Sequence, residues 1–149
     1  MLISIQQPEF MPWMGYFDKV VNVEKVVFLD NVQFKKRYFE NRNKIRSKDG
    51  WIWLTTPVIT KGRFNQDINE VLIDNEKNWQ DKIAKTLIIN YQRSPYWNEV
   101  GLDFIDLIKS KWNKLIDLNI SIIQFFLNLF EINRPWVLAS DLKTKNFGS

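Results

Sequence analysis

Apolar residues near the start of the chain fall into two rhythms. Leu2, Ile3 and Ile5 make a short β-prone run, while Trp13, Phe17, Val20 and Val21 recur at a helical period. Between and across them, residues 6–19 carry Pro8, Pro12, Gly15 and the aromatics Phe10, Trp13, Tyr16 and Phe17, which reads as strand, loop and helix start. Pro12 suits a first helical turn, where its missing N–H has no partner to lose, and Gly15 lets another group approach the helix closely. A second apolar run, Val26-Val27-Phe28-Leu29, ends in Asp30-Asn31-Val32-Gln33-Phe34, the pattern of a buried strand entering a polar loop. A βαβ unit brings both loops to one sheet edge, where the first helix adds the partial positive charge of its free N–H groups. The plainer alternative is an ordinary βα turn whose four aromatics, Trp13 included, are buried core.

The remaining pattern completes an α/β chain: an N-terminal βαβ unit, a mixed sheet and a C-terminal helical segment. Lys48-Asp49-Gly50 signals a turn ahead of residues 51–58, which are rich in β-formers, and Lys61-Gly62-Arg63 signals another. Ile68, Val71, Leu72 and Ile73 suggest a strand, paired with the preceding one through residues 59–66. Asp74 or Asn75 is placed to cap a helix over about residues 76–91, along which Trp79, Ile83, Leu87 and Tyr91 keep a four-residue spacing. Leu102, Ile105, Ile108, Trp112, Leu115 and Ile116 predict one amphipathic helix, continued by Ile120, Ile123, Phe126, Leu127 and Phe130 after an interruption at residues 117–119. Residues 136–139 return as a last short strand, and the 149 residues suit a single domain.

Charge changes this picture at one place. Residues 35–48 hold seven cations and one anion, whereas the whole chain is only +4, so the basic character is concentrated in the loop after Phe34. Cysteine and histidine are both absent, which excludes disulfides, thiolate nucleophiles, imidazole catalysis and a serine–histidine triad, and leaves little basis for a metal site. Asp103 and Asp106 read as the solvated face of their helix. The start lacks a basic segment followed by a long apolar run, and residues 118–130 are too short and polar to span a bilayer, which needs about 20 apolar residues. A cytoplasmic location is expected.

Ile5-Gln6-Gln7-Pro8, Pro12-Trp13-Met14-Gly15-Tyr16-Phe17-Asp18-Lys19, Phe28-Leu29-Asp30-Asn31-Val32-Gln33-Phe34, Asn41-Arg42-Asn43-Lys44-Ile45 and Trp53-Leu54-Thr55-Thr56-Pro57-Val58 occur in one order over the first 58 residues. Together they resemble the WbqC-like family, with weaker resemblance through Trp79, Tyr91, Pro95-Tyr96 and Ser140-Asp141-Leu142. The resemblance implies a bacterial setting of surface-polysaccharide and O-antigen biosynthesis. It also implies a transferase that attaches an acyl or aminoacyl group, such as glycine, to a sugar or sugar nucleotide; an ATP-dependent amide-forming ligase is suggested only by analogy with nucleotidyltransferases of the HIGH-motif superfamily. Two departures stand out: members commonly carry His-Gln-Pro where this chain has Gln6-Gln7-Pro8, and the family's C-terminal part is expected to be lacking, with residues 143–149 a polar tail.

No catalytic residue is assigned from the sequence. The candidate ligand-binding residues are Gln6, Gln7, Trp13, Gly15 and Tyr16 in the first loop, Asp30, Gln33 and Lys35 in the second, and Asn41, Arg42 and Asn43 in the basic loop. Arginine matches phosphate or carboxylate with a planar fork, and amides read hydroxyls and carbonyls, a mixture suited to a phosphorylated small molecule such as ATP or a sugar nucleotide. By itself Arg42 reads more readily as a solvated cation, and Asp30 as a turn cap. As analogy, Trp13-Met14-Gly15-Tyr16 stands where nucleotidyltransferases of the HIGH-motif superfamily carry His-x-Gly-His, although neither histidine is present. The competing reading is a non-catalytic module that binds a nucleotide or sugar nucleotide, or single-stranded nucleic acid through basic residues interleaved with Tyr38, Phe39, Trp51 and Trp53.

Overall fold

Ile5 lies opposite Val27, and Val27 opposite Val137, in a sheet of three short parallel strands. The computed structural model describes residues 1–142; the expected tail at 143–149 lies outside them. The sheet has the order β1 (Ile3–Gln6), β2 (Lys25–Phe28) and β5 (Trp136–Leu138), so the run at 136–139 does return as a strand, beside the apolar β2. Helix α1 (Met14–Val21) makes the crossover from β1 to β2. Gln6 pairs with Phe28, and the Leu29 N–H donates to the Gln6 carbonyl at 2.8 Å, so the first two polar loops leave the same sheet edge.

A second sheet is an antiparallel hairpin of β3 (Arg42–Ser47) and β4 (Gly50–Thr55). Six of the fourteen residues of the basic stretch are therefore a strand where a loop was expected. Its alternation explains why: Asn43 and Ile45 turn inward while Lys44 and Arg46 turn out, the period of a half-buried strand. The expected pairing of residues 51–58 with 68–73 reduces to one bridge between Val58 and Ile73, because β3 occupies the edge of β4 and Ile68–Glu70 winds into a short 3-10 turn.

Helix α2 (Trp79–Tyr91) begins three residues later than the pattern indicates. Asn75 does not cap it but bridges two tryptophans, its amide donating to the Trp112 carbonyl at 2.8 Å and accepting from the Trp79 indole at 3.1 Å. A π-helical turn, Trp97–Gly101, leads into α3 (Leu102–Lys109). The break in the C-terminal helices falls at residues 110–114, earlier than expected. There the chain is extended and pairs with residues 71–73, with Ile73 N–H on the Asn113 carbonyl and Leu115 N–H on the Val71 carbonyl.

Helix α4 (Leu115–Leu129) then runs unbroken through the core, with Leu115, Leu118, Ile122 and Ile123 fully buried. A helix apolar on nearly every face must be covered on nearly every face, and α1 and α3 pack aromatics against it: Phe17 and Phe104 meet Phe126 with centroids 5.9 and 5.2 Å away. One polar residue of this helix is buried. Asn119, wholly buried, donates its amide to the Pro8 carbonyl at 2.9 Å and to the Glu40 carbonyl at 2.7 Å, tying the first loop and the basic segment to the core helix.

Replacing Asn119 by Leu keeps its size but leaves two buried carbonyls without a donor. Each lost partner costs about 1–3 kcal/mol, so Asn119→Leu is expected to destabilise the protein by about 2–6 kcal/mol, read as a lower urea midpoint with unchanged slope.

Candidate functional site

The first loop is held by backbone groups more than by its own polar side chains. Gln6 donates to the Ser4 hydroxyl at 2.9 Å, and the carbonyl of Gln7 accepts from the Tyr16 hydroxyl at 3.0 Å. Tyr16 is buried, and burial followed by the nearby Glu9 carboxylate holds its hydroxyl well above the ordinary phenol value. Met11 adopts a left-handed backbone conformation with φ of 48°, and the buried amide of Asn43 steadies it by donating to the Met11 carbonyl at 2.8 Å. Pro12 stands just outside the helix, ahead of the N-cap Trp13.

Phe10, Tyr16 and Phe17 join the core, but Trp13 does not: it is 65% exposed. Its indole folds back over the first turn of α1, and a Cβ on Gly15 would stand 2.1 Å from that ring. The group that approaches Gly15 is therefore the neighbouring tryptophan, because a glycine there leaves the indole a place to lie.

In the second loop Asp30 is buried. Its carboxylate accepts from the Ser140 N–H at 2.9 Å, from the Ser140 hydroxyl, and from the Asn69 amide at 3.3 Å, fastening the chain after β5 to the end of β2. Gln33 makes a bridge with Asp67. Asn41, buried like Asn43, donates to the Thr56 carbonyl at 3.0 Å. The side-chain donors of Asn41 and Asn43 are thus occupied by backbone, while Lys35 is exposed and Arg42 half-buried.

Arg42 sits on the outer face of the hairpin, its guanidinium 4.2 Å from the Trp53 ring centroid and donating to the Arg37 carbonyl. Lys44, cross-strand from Trp53, places its ammonium 3.7 Å from the Trp51 centroid and 5.1 Å from that of Trp53. The row extends through Phe39, 6.4 Å from Trp53, to Tyr38, 5.4 Å further, where Lys35 stands 5.7 Å over the phenol ring. Cations laid across aromatic faces attract the ring quadrupole and hold the long side chains in place. The result is an exposed surface that offers flat rings and positive charge together, suited to a base or sugar ring joined to phosphate.

The sequence reading missed Glu9 and Glu40. Glu40 is fully buried with neither carboxylate oxygen hydrogen-bonded, and desolvation pushes its carboxyl above the ordinary value. Glu9 is half-buried in the first loop and is raised as well, by desolvation first and by Glu40 second. The signal that would have found them was slight: two lone glutamates in strongly apolar or basic surroundings.

A small parallel sheet whose first loops share an edge, flanked by a basic aromatic hairpin, defines an α/β protein whose outward rings and cations form its candidate ligand surface. The chain belongs to the WbqC-like protein family, whose model matches residues 7–148. It is 38% identical over 99 residues to an uncharacterized protein, Rv1507c, of Mycobacterium tuberculosis strain H37Rv; the match covers 66% of this chain and 42% of that relative. No solved structure matches. No helix among the described residues is long and apolar enough to cross a membrane.

Glu40 gives a pH test. A carboxyl raised in the folded state contributes stability that is complete below 4.5, its ordinary value, and is lost as pH rises through the folded value. Thermal melts of Glu40→Gln should show a shallower fall between acid and neutral pH than the wild type and a higher melting temperature at pH 7. Trp13→Ala, at an exposed position, is expected to cost under about 1 kcal/mol in urea titrations, against about 3–5 kcal/mol for a buried tryptophan.

Proposed function

We infer that this protein binds a nucleotide or sugar nucleotide and takes part in transferring an acyl or aminoacyl group to a sugar during bacterial surface-polysaccharide biosynthesis. The observation that carries the ligand class is Arg42 stacked on Trp53: an aromatic ring and a guanidinium charge at one place, with one of its terminal nitrogens engaged by the Arg37 carbonyl, suit a base joined to phosphate. Family membership supports the setting. Forming an amide from a free carboxylate needs activation, most simply by ATP, and then loss of a proton from the attacking amine. Positive charge on the hairpin suits the phosphate chemistry.

A second reading draws on the continuity of the aromatic row. Tyr38, Phe39, Trp53 and Trp51 follow one another at 5.4, 6.4 and 6.0 Å, edge to face or tilted, so that individual bases of a single strand would meet separate rings along the row.

Thermal shifts with ATP, nucleoside diphosphate sugars and a short single-stranded oligonucleotide separate the two. A ligand at one hundred times its dissociation constant adds about 2.7 kcal/mol, several degrees for a domain of this size. Stabilisation by ATP or a sugar nucleotide that disappears in Arg42→Ala is the expected result. Stabilisation by the oligonucleotide alone, fading with salt, would instead establish the second reading.

A further inference from the structure

Between β4 and α2 lies an open groove of about 820 Å³, within the range of about 300–1,000 Å³ typical of ligand pockets. From the geometry of this groove we propose a phosphate-binding site for a nucleoside di- or triphosphate, formed by Lys82 and Lys85 on the helix side and Trp53 on the strand side; it rests on the nucleotide reading above.

Four charged side chains line the groove, those of Lys77, Asp81, Lys82 and Lys85, and their partners decide the balance. Lys77 is paired with Asp74 at 3.1 Å, and Asp81 with Lys109 at 3.0 Å. Both carboxylates therefore face a cation already. Lys82 and Lys85 form no salt bridge among the described residues, and at a spacing of three residues they project from the same side of α2. Asp81 also feels Lys85, one turn further along α2, and offsets part of its charge, but with Asp81 held first by Lys109 and Lys82 without an ion pair the groove keeps a net positive field suited to a di- or triphosphate. The N-terminal turn of α2, which also lines the groove, adds to that field without carrying it.

Solvated lysines on a helix are common, and Trp53 distinguishes this pair. It is partly exposed, it lines the groove, and Arg42, Lys44 and Trp51 hold its ring on the hairpin face. A base placed beside Trp53, whose ring already carries Arg42 at 4.2 Å, would extend its phosphates toward α2. The hairpin's cationic surface and the groove thus adjoin at one residue, Trp53.

The test is isothermal titration of the full chain with ATP, UDP-glucose and inorganic pyrophosphate. It compares the wild type with Lys82→Gln/Lys85→Gln and with a control of equal charge change, Lys19→Gln/Lys111→Gln, each checked for unchanged circular dichroism. The groove pair is expected to weaken nucleotide binding at least about tenfold, with the control within about twofold, and pyrophosphate to compete with nucleotide in the wild type and the control but not in the groove variant. Nucleotide binding equal in both double variants would overturn the site while leaving the nucleotide reading intact. Absence of nucleotide binding to the wild type would overturn both.

Discussion

A single amide, that of Asn119, sets the arrangement on which the rest depends. It projects from the middle of the most apolar helix and supplies both of its N–H donors to carbonyls far away in sequence, those of Pro8 and Glu40. Inside a core, an unpaired carbonyl is costly, so the two segments have little freedom to sit elsewhere. The loop after β1 and the segment that leads into β3 are thereby fixed relative to each other. Asn43 adds a second tie from β3 back to the first loop, through the Met11 carbonyl.

This network explains why so many polar groups near the sheet edge turn inward. Tyr16, Asp30, Asn41 and Asn43 each commit hydrogen bonds to holding loops, which leaves the outward chemistry to the hairpin. There the cations are immobilised against rings, so less side-chain freedom remains to be lost when an anion binds. The unsatisfied Glu40 carboxyl sits beneath this arrangement as a polar group that the fold tolerates at a cost in stability at neutral pH.

The chain matches less than half the length of its mycobacterial relative, so what that longer protein does as a whole need not be carried by the fold described here. The free edge of β1 exposes Leu2, Ile3 and Ile5, and the sheet is less covered there than beside β2 and β5.

Local pattern was enough to determine the βαβ start, the four-residue stripe of α2 and the return of β5, because each rests on a periodicity of apolar residues readable within a few turns or strand positions. It also located the charge in residues 35–48. It could not decide that β3 lies inside that basic segment, since Asn43 and Ile45 look ordinary until β4 is found alongside them. Nor could it decide that Trp13 faces outward, that the helical break falls at 110–114, or that Lys82 and Lys85 border the same groove as Trp53. Those outcomes were decided by contacts between segments tens of residues apart, where burial and hydrogen bonding of the backbone outweigh local preference.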